Sequence, residues 1–198
     1  MKSLVSFIII SFALHACTMS STQLLAKTYG DGQNSKGSVL VTYATRAGST
    51  IEVADSIALA ISKQGYLVDI LHIEKVQSLS NYSSVIIGSA IRMGNVTPEI
   101  KKFVETHKTE LQTIPTAFFI TCLTLKDDTP ENREAVKVYL APLREIVEPF
   151  AEGYFAGKMD YSKLKPFSRF LARRIVKAPE GDFRDWDKIR FWASELYN

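Results

Sequence analysis

The chain has 198 residues, 46% of them hydrophobic and 23% charged, a composition typical of one globular domain with a short tail. Its formal net charge of +3 is too small to indicate a nucleic-acid-binding protein. The two cysteines, Cys17 and Cys122, are too few for a disulfide framework or a metal cluster. The basic charge is instead concentrated between residues 158 and 177, where seven Lys or Arg residues stand against one acidic residue.

The first 17 residues predict a signal peptide or lipoprotein leader. Lys2 precedes an apolar stretch, residues 4–16, that is shorter than the roughly 20 residues a membrane-spanning helix needs. The stretch ends in Leu-His-Ala-Cys, which resembles a bacterial lipobox, the motif whose cysteine, here Cys17, would become the lipidated first residue of the mature protein. An uncleaved anchor and a misassigned start codon are the alternatives. Residues 18–37 are rich in Ser, Thr, Gly and Asn and predict a flexible linker, so the expected domain is 38–198.

From residue 38 onward, short apolar segments alternate with segments of helical periodicity. We predict strands at 39–43, 66–73, 85–88, 116–123 and 150–157, and helices at about 53–64, 97–111, 130–144, 164–177 and 186–197. Strands that alternate with helices indicate a parallel sheet with helices on both faces. The sequence therefore predicts an α/β fold with a doubly wound five-stranded parallel sheet, whose ligand site lies at the carboxyl ends of the strands.

A Ser/Thr/Gly loop directly follows the first of these strands and opens the first helix. Hydroxyl groups and backbone N–H groups at a helix start can converge on a phosphate, and Gly48 lets the backbone approach it closely. A loop that only turns the chain and caps the helix is the alternative. The residues of this candidate phosphate loop are Thr45, Arg46, Ala47, Gly48, Ser49 and Thr50.

Two further loops follow the third and fourth predicted strands, at the same edge of the sheet. Small residues in the first would let a planar ring lie against the backbone, with Ile91 and Met93 packing on it, whereas a plain βα loop is the alternative. In the second we interpret Cys122 as a packing residue, because no histidine or acid is placed to activate it. The candidate ring-binding residues are Ser89, Ala90, Ile91, Arg92, Met93, Gly94, Asn95, Thr121, Cys122 and Leu123.

Taken together, the segments TRAGST (45–50), IIGSAIRMGN (86–95) and FAGKMDYSKLKPFSRFLARRIVK (155–177) resemble the flavodoxin superfamily. Within it they are most similar to the menaquinone-dependent protoporphyrinogen dehydrogenase branch. The resemblance implies a flavodoxin-like fold, an FMN cofactor held by the three loops, and an oxidoreductase that passes electrons from a protoporphyrinogen-like substrate of heme biosynthesis to a quinone. A non-catalytic electron-transfer flavodoxin at the membrane, or an exported binding protein without cofactor, are the alternatives.

The basic segment predicts an amphipathic helix, with Leu164, Phe167, Phe170, Leu171 and Ile175 on one face. Its cationic side chains include Arg169, Arg173 and Arg174. A helix packed on the domain with a solvated face is one interpretation. Contact with anionic lipid headgroups is another, and recognition of the propionates of a tetrapyrrole is a third. We also expect Arg92 and the non-acidic domain to make the flavin less reducing than in acidic carrier flavodoxins.

Overall fold

The computed structural model describes residues 26–45, 48–164, 166–174 and 179–198. The leader, with its candidate lipidation site Cys17, lies outside the described residues. The described strands are β1 (Lys27–Tyr29), β2 (Ser38–Ala44), β3 (Leu67–His72), β4 (Ser84–Arg92), β5 (Asn95–Val96), β6 (Thr116–Cys122), β7 (Ala151–Ala156), β8 (Lys158–Met159) and β9 (Gly181–Asp182). The helices are α1 (Ser49–Ser62), α2 (Pro98–Thr106), α3 (Lys108–Leu111), α4 (Pro130–Lys137), α5 (Ala141–Arg144), α6 (Pro166–Arg174) and α7 (Trp186–Glu195).

The five predicted parallel strands form the centre of one sheet, in the order β3-β2-β4-β6-β7. This is the doubly wound order 2-1-3-4-5, so the predicted fold class is confirmed. The central strands β2 and β6 are buried nearly throughout, because helices cover both of their faces. On one face Val41, Ile86 and Phe119 pack with residues of α1 and α7, and on the other Leu40, Ile87 and Phe118 pack with residues of α2 and α4.

The predicted linker 18–37 is wrong for residues 27–29, which form the edge strand β1. This strand pairs antiparallel with β3, placing Lys27 opposite Ile70 and Tyr29 opposite Val68. Side chains reinforce the pairing, since Thr28 Oγ1 donates to Asp69 on β3 over 2.6 Å, and the hydroxyl of Tyr29 ties the strand to α1 by donating to Asp55 over 2.9 Å. Ser and Gly are frequent in the surrounding residues, and three strand residues are too short a segment to stand out from them in sequence.

Two of the predicted long helices are interrupted. The helix predicted over 97–111 divides at His107 into α2 and α3. The helix predicted over 130–144 changes to a 3₁₀ turn at 138–140 before α5, because Pro142 has no N–H to donate to the carbonyl one turn earlier. The predicted cap of the last helix is confirmed, since Asp185 Oδ1 accepts hydrogen bonds from the N–H groups of Asp187 and Lys188.

After β7 the chain leaves the main sheet and forms a separate two-stranded sheet. Strand β8 pairs antiparallel with β9, with Lys158 opposite Asp182, and the segment between them contains α6. No helix among the described residues combines the length and the apolar composition that crossing a bilayer requires. The helix predicted over 164–177 is present as α6, whose described part ends at Arg174.

Candidate functional site

The three candidate loops lie side by side at the carboxyl edge of the sheet. In the strand register Ala44, the last residue of β2, is opposite Ser89, and Ala90 is opposite Thr121. The chain therefore leaves β2, β4 and β6 at neighbouring positions of one edge. This is the edge at which doubly wound folds bind their ligands.

The phosphate loop enters α1 through a left-handed glycine. Gly48 occupies the N-cap position with φ of 89°, a conformation that a side chain would strain. The N–H of Gly48 donates to Thr45 Oγ1 over 3.1 Å, and this bond connects the two described ends of the loop. The N–H groups of Ser49 and Thr50 belong to the first helical turn, which has no intrahelical acceptors for them. Arg46 and Ala47 lie outside the described residues.

A buried hydroxyl pair connects the phosphate loop to the third loop. Thr50 Oγ1 and Thr121 Oγ1 lie 3.0 Å apart, and both residues are buried. From the sequence, Thr50 was predicted to contact the phosphate and Thr121 the ring, whereas in the structure their hydroxyl groups hydrogen-bond to each other. This bond joins the start of α1 to the end of β6 across the edge of the sheet.

The second loop, predicted to hold the ring, is a β-hairpin, so the alternative of a plain βα loop is wrong. Strand β4 continues to Arg92, turns at Met93 and Gly94, and returns as β5. Both turn residues have positive φ, 50° and 76°, as a two-residue type I′ turn requires. Ile91 is half-buried, whereas Arg92 and Asn95 are exposed and Met93 is 96% exposed. The hairpin therefore presents an apolar side chain to solvent at the tip of the site.

Ser89 uses its hydroxyl within the protein. Its Oγ donates to the carbonyl of Ala90 over 2.9 Å and accepts the N–H of Thr97 over 3.0 Å. The second bond ties the end of the hairpin and the start of α2 to the sheet. Ser89 was assigned to ring binding, and in the structure its side chain fixes the base of the hairpin.

Cys122 is a buried residue at the end of β6. Burial raises the pKa of its thiol, which disfavours the thiolate. Its carbonyl accepts the N–H of Gly157 over 2.9 Å, and the following residue, Leu123, leads into a 3₁₀ turn at 124–126. This environment is that of a packing residue, as the sequence analysis proposed.

Arg184 is a residue of the site that the sequence analysis missed. Its side chain is 1% exposed and lies beside the first turn of α1. It donates to the carbonyl of Ser49 over 3.2 Å, to Glu52 over 2.8 Å and to both carboxylate oxygens of Asp182. Its guanidinium also stacks on the ring of Trp186 at 4.4 Å. No spacing signal could reveal it, because Glu52 is 132 residues away along the chain.

The three basic residues assigned to substrate or membrane contact have different environments. Arg169 donates to the carbonyls of Tyr161, Ser162 and Leu164, so its guanidinium holds the turn that precedes α6. Arg173 lies over the ring of Tyr161 at 5.2 Å, and Arg174 is exposed. Among the described elements α6 packs chiefly against this turn. The structure therefore gives Arg169 an internal role and leaves Arg174 facing solvent.

The donor set of the edge fits a phosphate ester. It combines a left-handed glycine, the first-turn N–H groups of Ser49 and Thr50, and the hydroxyl groups of Thr45 and Ser49. Such groups bind phosphate without a lysine, because the helix start carries a partial positive charge. The hairpin at the same edge of the sheet offers exposed apolar and backbone surface on which a flat ring can lie.

Two curated proteins that share one name are similar to this chain in sequence. The chain is 25% identical over 170 residues to "Protoporphyrinogen IX dehydrogenase [quinone]" of Escherichia coli K12, a match that covers 79% of this chain and 93% of that protein. The protein of the same name from Leishmania major is 28% identical, with 79% and 73% covered.

Solved structures with the same fold include two flavodoxins. The two-electron reduced flavodoxin of Megasphaera elsdenii superposes with a TM-score of 0.51 at 12% identity, covering 80% of this chain and 99% of that one. The flavodoxin of Streptococcus pneumoniae TIGR4 gives a TM-score of 0.50 at 14% identity, covering 81% and 97%. At these identities the likeness supports the fold alone. The family model described as "Flavodoxin domain" matches residues 40–185, and the chain therefore belongs to the flavodoxin-domain family.

Proposed function

We propose that this protein is an FMN-dependent oxidoreductase that oxidises a protoporphyrinogen-like substrate and passes the electrons to a quinone. The observation that carries the proposal is the left-handed Gly48 at the start of α1, at the same edge of the sheet as the Met93–Gly94 hairpin and the end of β6. The names of the Escherichia coli and Leishmania major relatives support the substrate and acceptor classes.

The residues of the edge divide into a phosphate end and a ring end. Thr45, Ser49 and the first-turn N–H groups of α1 would bind the phosphate, while the Met93–Gly94 turn and the loop after Thr121 would contact the ring. Bound flavin supplies the hydride and electron chemistry, and the protein orients it and sets its potential. Arg92, exposed on the hairpin, would favour negative charge on the reduced ring, so we expect a less reducing flavin than in acidic carriers.

Purification followed by visible spectroscopy tests the cofactor, and turnover tests the reaction. We expect a yellow protein, or a colourless one that becomes yellow when FMN is added. We expect it to oxidise protoporphyrinogen IX when a quinone is supplied, with omission of the quinone as the control. A folded protein that takes up no FMN would refute the flavin assignment.

A non-catalytic electron-transfer flavodoxin is the second candidate, because a flavodoxin domain with the same phosphate end would serve it equally and the fold does not by itself decide the function. This carrier would bind FMN but leave protoporphyrinogen unoxidised in the presence of quinone. Titration of the flavin's potentials separates the two candidates independently, because a value as negative as that of acidic carriers would favour the carrier.

We further propose that the site edge faces a membrane surface, with the first 17 residues acting as an export leader or a lipid anchor at Cys17. The register of β1 supports this orientation, because Lys27 lies toward the carboxyl end of β3. The described chain thus enters the sheet at Lys27 from the edge that carries the candidate loops. The segment containing α6 also leaves from that edge, after β7, and adds the exposed residues Phe170 and Arg174.

Vesicle binding of the full chain tests this orientation. We expect binding to vesicles containing anionic lipid to weaken in F170S/R174E, since each basic residue near such a surface contributes roughly 1 kcal/mol. Lys108→Glu is the matched control, because exposed Lys108 follows α2 at the opposite edge of the sheet. Equal losses in both variants would contradict the proposed orientation. Mass spectrometry of the mature N-terminus decides whether Cys17 is lipidated.

A further inference from the structure

We infer that Arg184 is a positioning residue for the phosphate loop. It aims the Thr50 N–H at the phosphate and offsets part of the negative charge of the two carboxylates beside it. This inference rests on the proposed FMN site and adds a residue from the opposite end of the chain. The guanidinium of Arg184 is almost completely buried at the first turn of α1, where it binds Ser49, Glu52 and Asp182 together.

The contact with Ser49 fixes the direction of a phosphate donor. Arg184 Nη1 donates to the Ser49 carbonyl over 3.2 Å. This carbonyl and the N–H of Thr50 belong to the same peptide unit, which is planar and trans, so the two groups point in opposite directions. An arginine that holds the carbonyl on one side therefore holds the Thr50 N–H toward the loop on the other side.

The two carboxylates explain why a cation is needed there. Glu52 lies in the first turn of α1 and is 54% exposed, and Asp182 lies on β9. A phosphate dianion bound at the start of α1 would be repelled by an unpaired Glu52 in the same turn. Arg184 offsets this charge at close range, and its planar fork lets it bind both acids and the carbonyl at once.

The ratio of FMN to riboflavin affinity measures this role, because riboflavin has the ring but lacks the phosphate. Arg184→Met should raise the dissociation constant for FMN about tenfold and leave that for riboflavin within about twofold. R184M/E52Q should recover part of the FMN affinity, since E52Q removes one of the two carboxylates that R184M leaves without their arginine. Arg190→Met is the matched control, because Arg190 pairs with Asp187 on α7 and lies near Leu59, beyond the first turn of α1.

Arg184→Lys keeps the charge but cannot reach all three partners, so we expect an intermediate loss of FMN affinity. It also keeps the test valid if R184M does not fold, which urea denaturation checks. If R184M or R184K weakens FMN and riboflavin equally, or weakens neither, Arg184 supports the fold and not the phosphate. If the wild-type protein binds neither flavin, the proposed function fails and this inference fails with it. A wild-type preference for FMN that survives in R184M and R184K refutes only the inference.

Discussion

Gly88 offers a strong test of how tightly the sheet is packed beneath the candidate site. A Cβ placed on Gly88 would lie 2.1 Å from Cζ and 2.4 Å from Cε1 of Phe119. Carbon atoms in contact prefer about 3.5–4.0 Å, so the ring would have to move by more than about 1 Å. Phe119 is fully buried and has Phe155 and Trp192 as ring neighbours at 6.3 and 6.4 Å, which leaves it little space.

We therefore expect Gly88→Ala to lower the free energy of unfolding by about 1–3 kcal/mol, the usual cost of overpacking a core. For a domain of this size that corresponds to a fall in Tm of roughly 2–12 °C. Without a clash, the same substitution would stabilise the strand by about 0.4–1 kcal/mol, because alanine restricts the unfolded chain. The sign of the change therefore reports on the contact with Phe119.

Urea denaturation of the apoprotein, followed by tryptophan fluorescence, measures the change without any contribution from flavin. Gly32→Ala is the matched control, because its Cβ would meet only Leu67 at an ordinary 3.8 Å. G88A/F119L should lose less stability than the sum of the two single variants, since the smaller side chain removes the overlap. A G88A protein as stable as G32A would refute this account of the packing.

Three further predictions follow from single contacts. T50V and T121V should each lower the free energy of unfolding, measured in urea, by about 1–3 kcal/mol, because either single change leaves a buried hydroxyl unpaired. T50V/T121V should lose less than the sum of the two, and additive losses would contradict the bond. M93N should stabilise the hairpin by about 0.5–1 kcal/mol, because Asn tolerates positive φ. The same variant should weaken flavin binding in a fluorescence titration, and an unchanged flavin affinity would exclude Met93 from the ring contact. Hydrogen bonding to Arg133 and Lys188 lowers the pKa of Asp128 from 3.8 to about 2, so the stability that the ionised carboxylate contributes is complete well above pH 3.8 and is lost as the pH falls toward 2. D128N should therefore lower the free energy of unfolding by under about 1 kcal/mol at pH 7, and its urea midpoint should converge on that of the wild type on acidification. A difference between the two midpoints that stays constant with pH would contradict the pairing.

The order of elements could be read from the sequence because it depends on local pattern. The runs Val39–Tyr43 and Val85–Ile87 are apolar except for Thr42, as is typical of strands covered on both faces, and helical spacing marks α1 between them. Gly48 was also identifiable, since a helix start that meets a phosphate needs a residue free to adopt positive φ. Alternation of such elements then left the doubly wound sheet as the predicted fold, and the structure confirms it.

Contacts between distant residues had no signature in the sequence, and only the tertiary structure decided them. Arg184 reaches Glu52 because the chain returns through β9 beside α1, and Thr50 meets Thr121 because β2 and β6 end at one edge. Edge strand β1 forms only because β3 offers it an unpaired side, so three residues taken for a linker became part of the sheet. Local periodicity specifies which segments are strands and helices, whereas side-chain partners depend on the three-dimensional path that joins them.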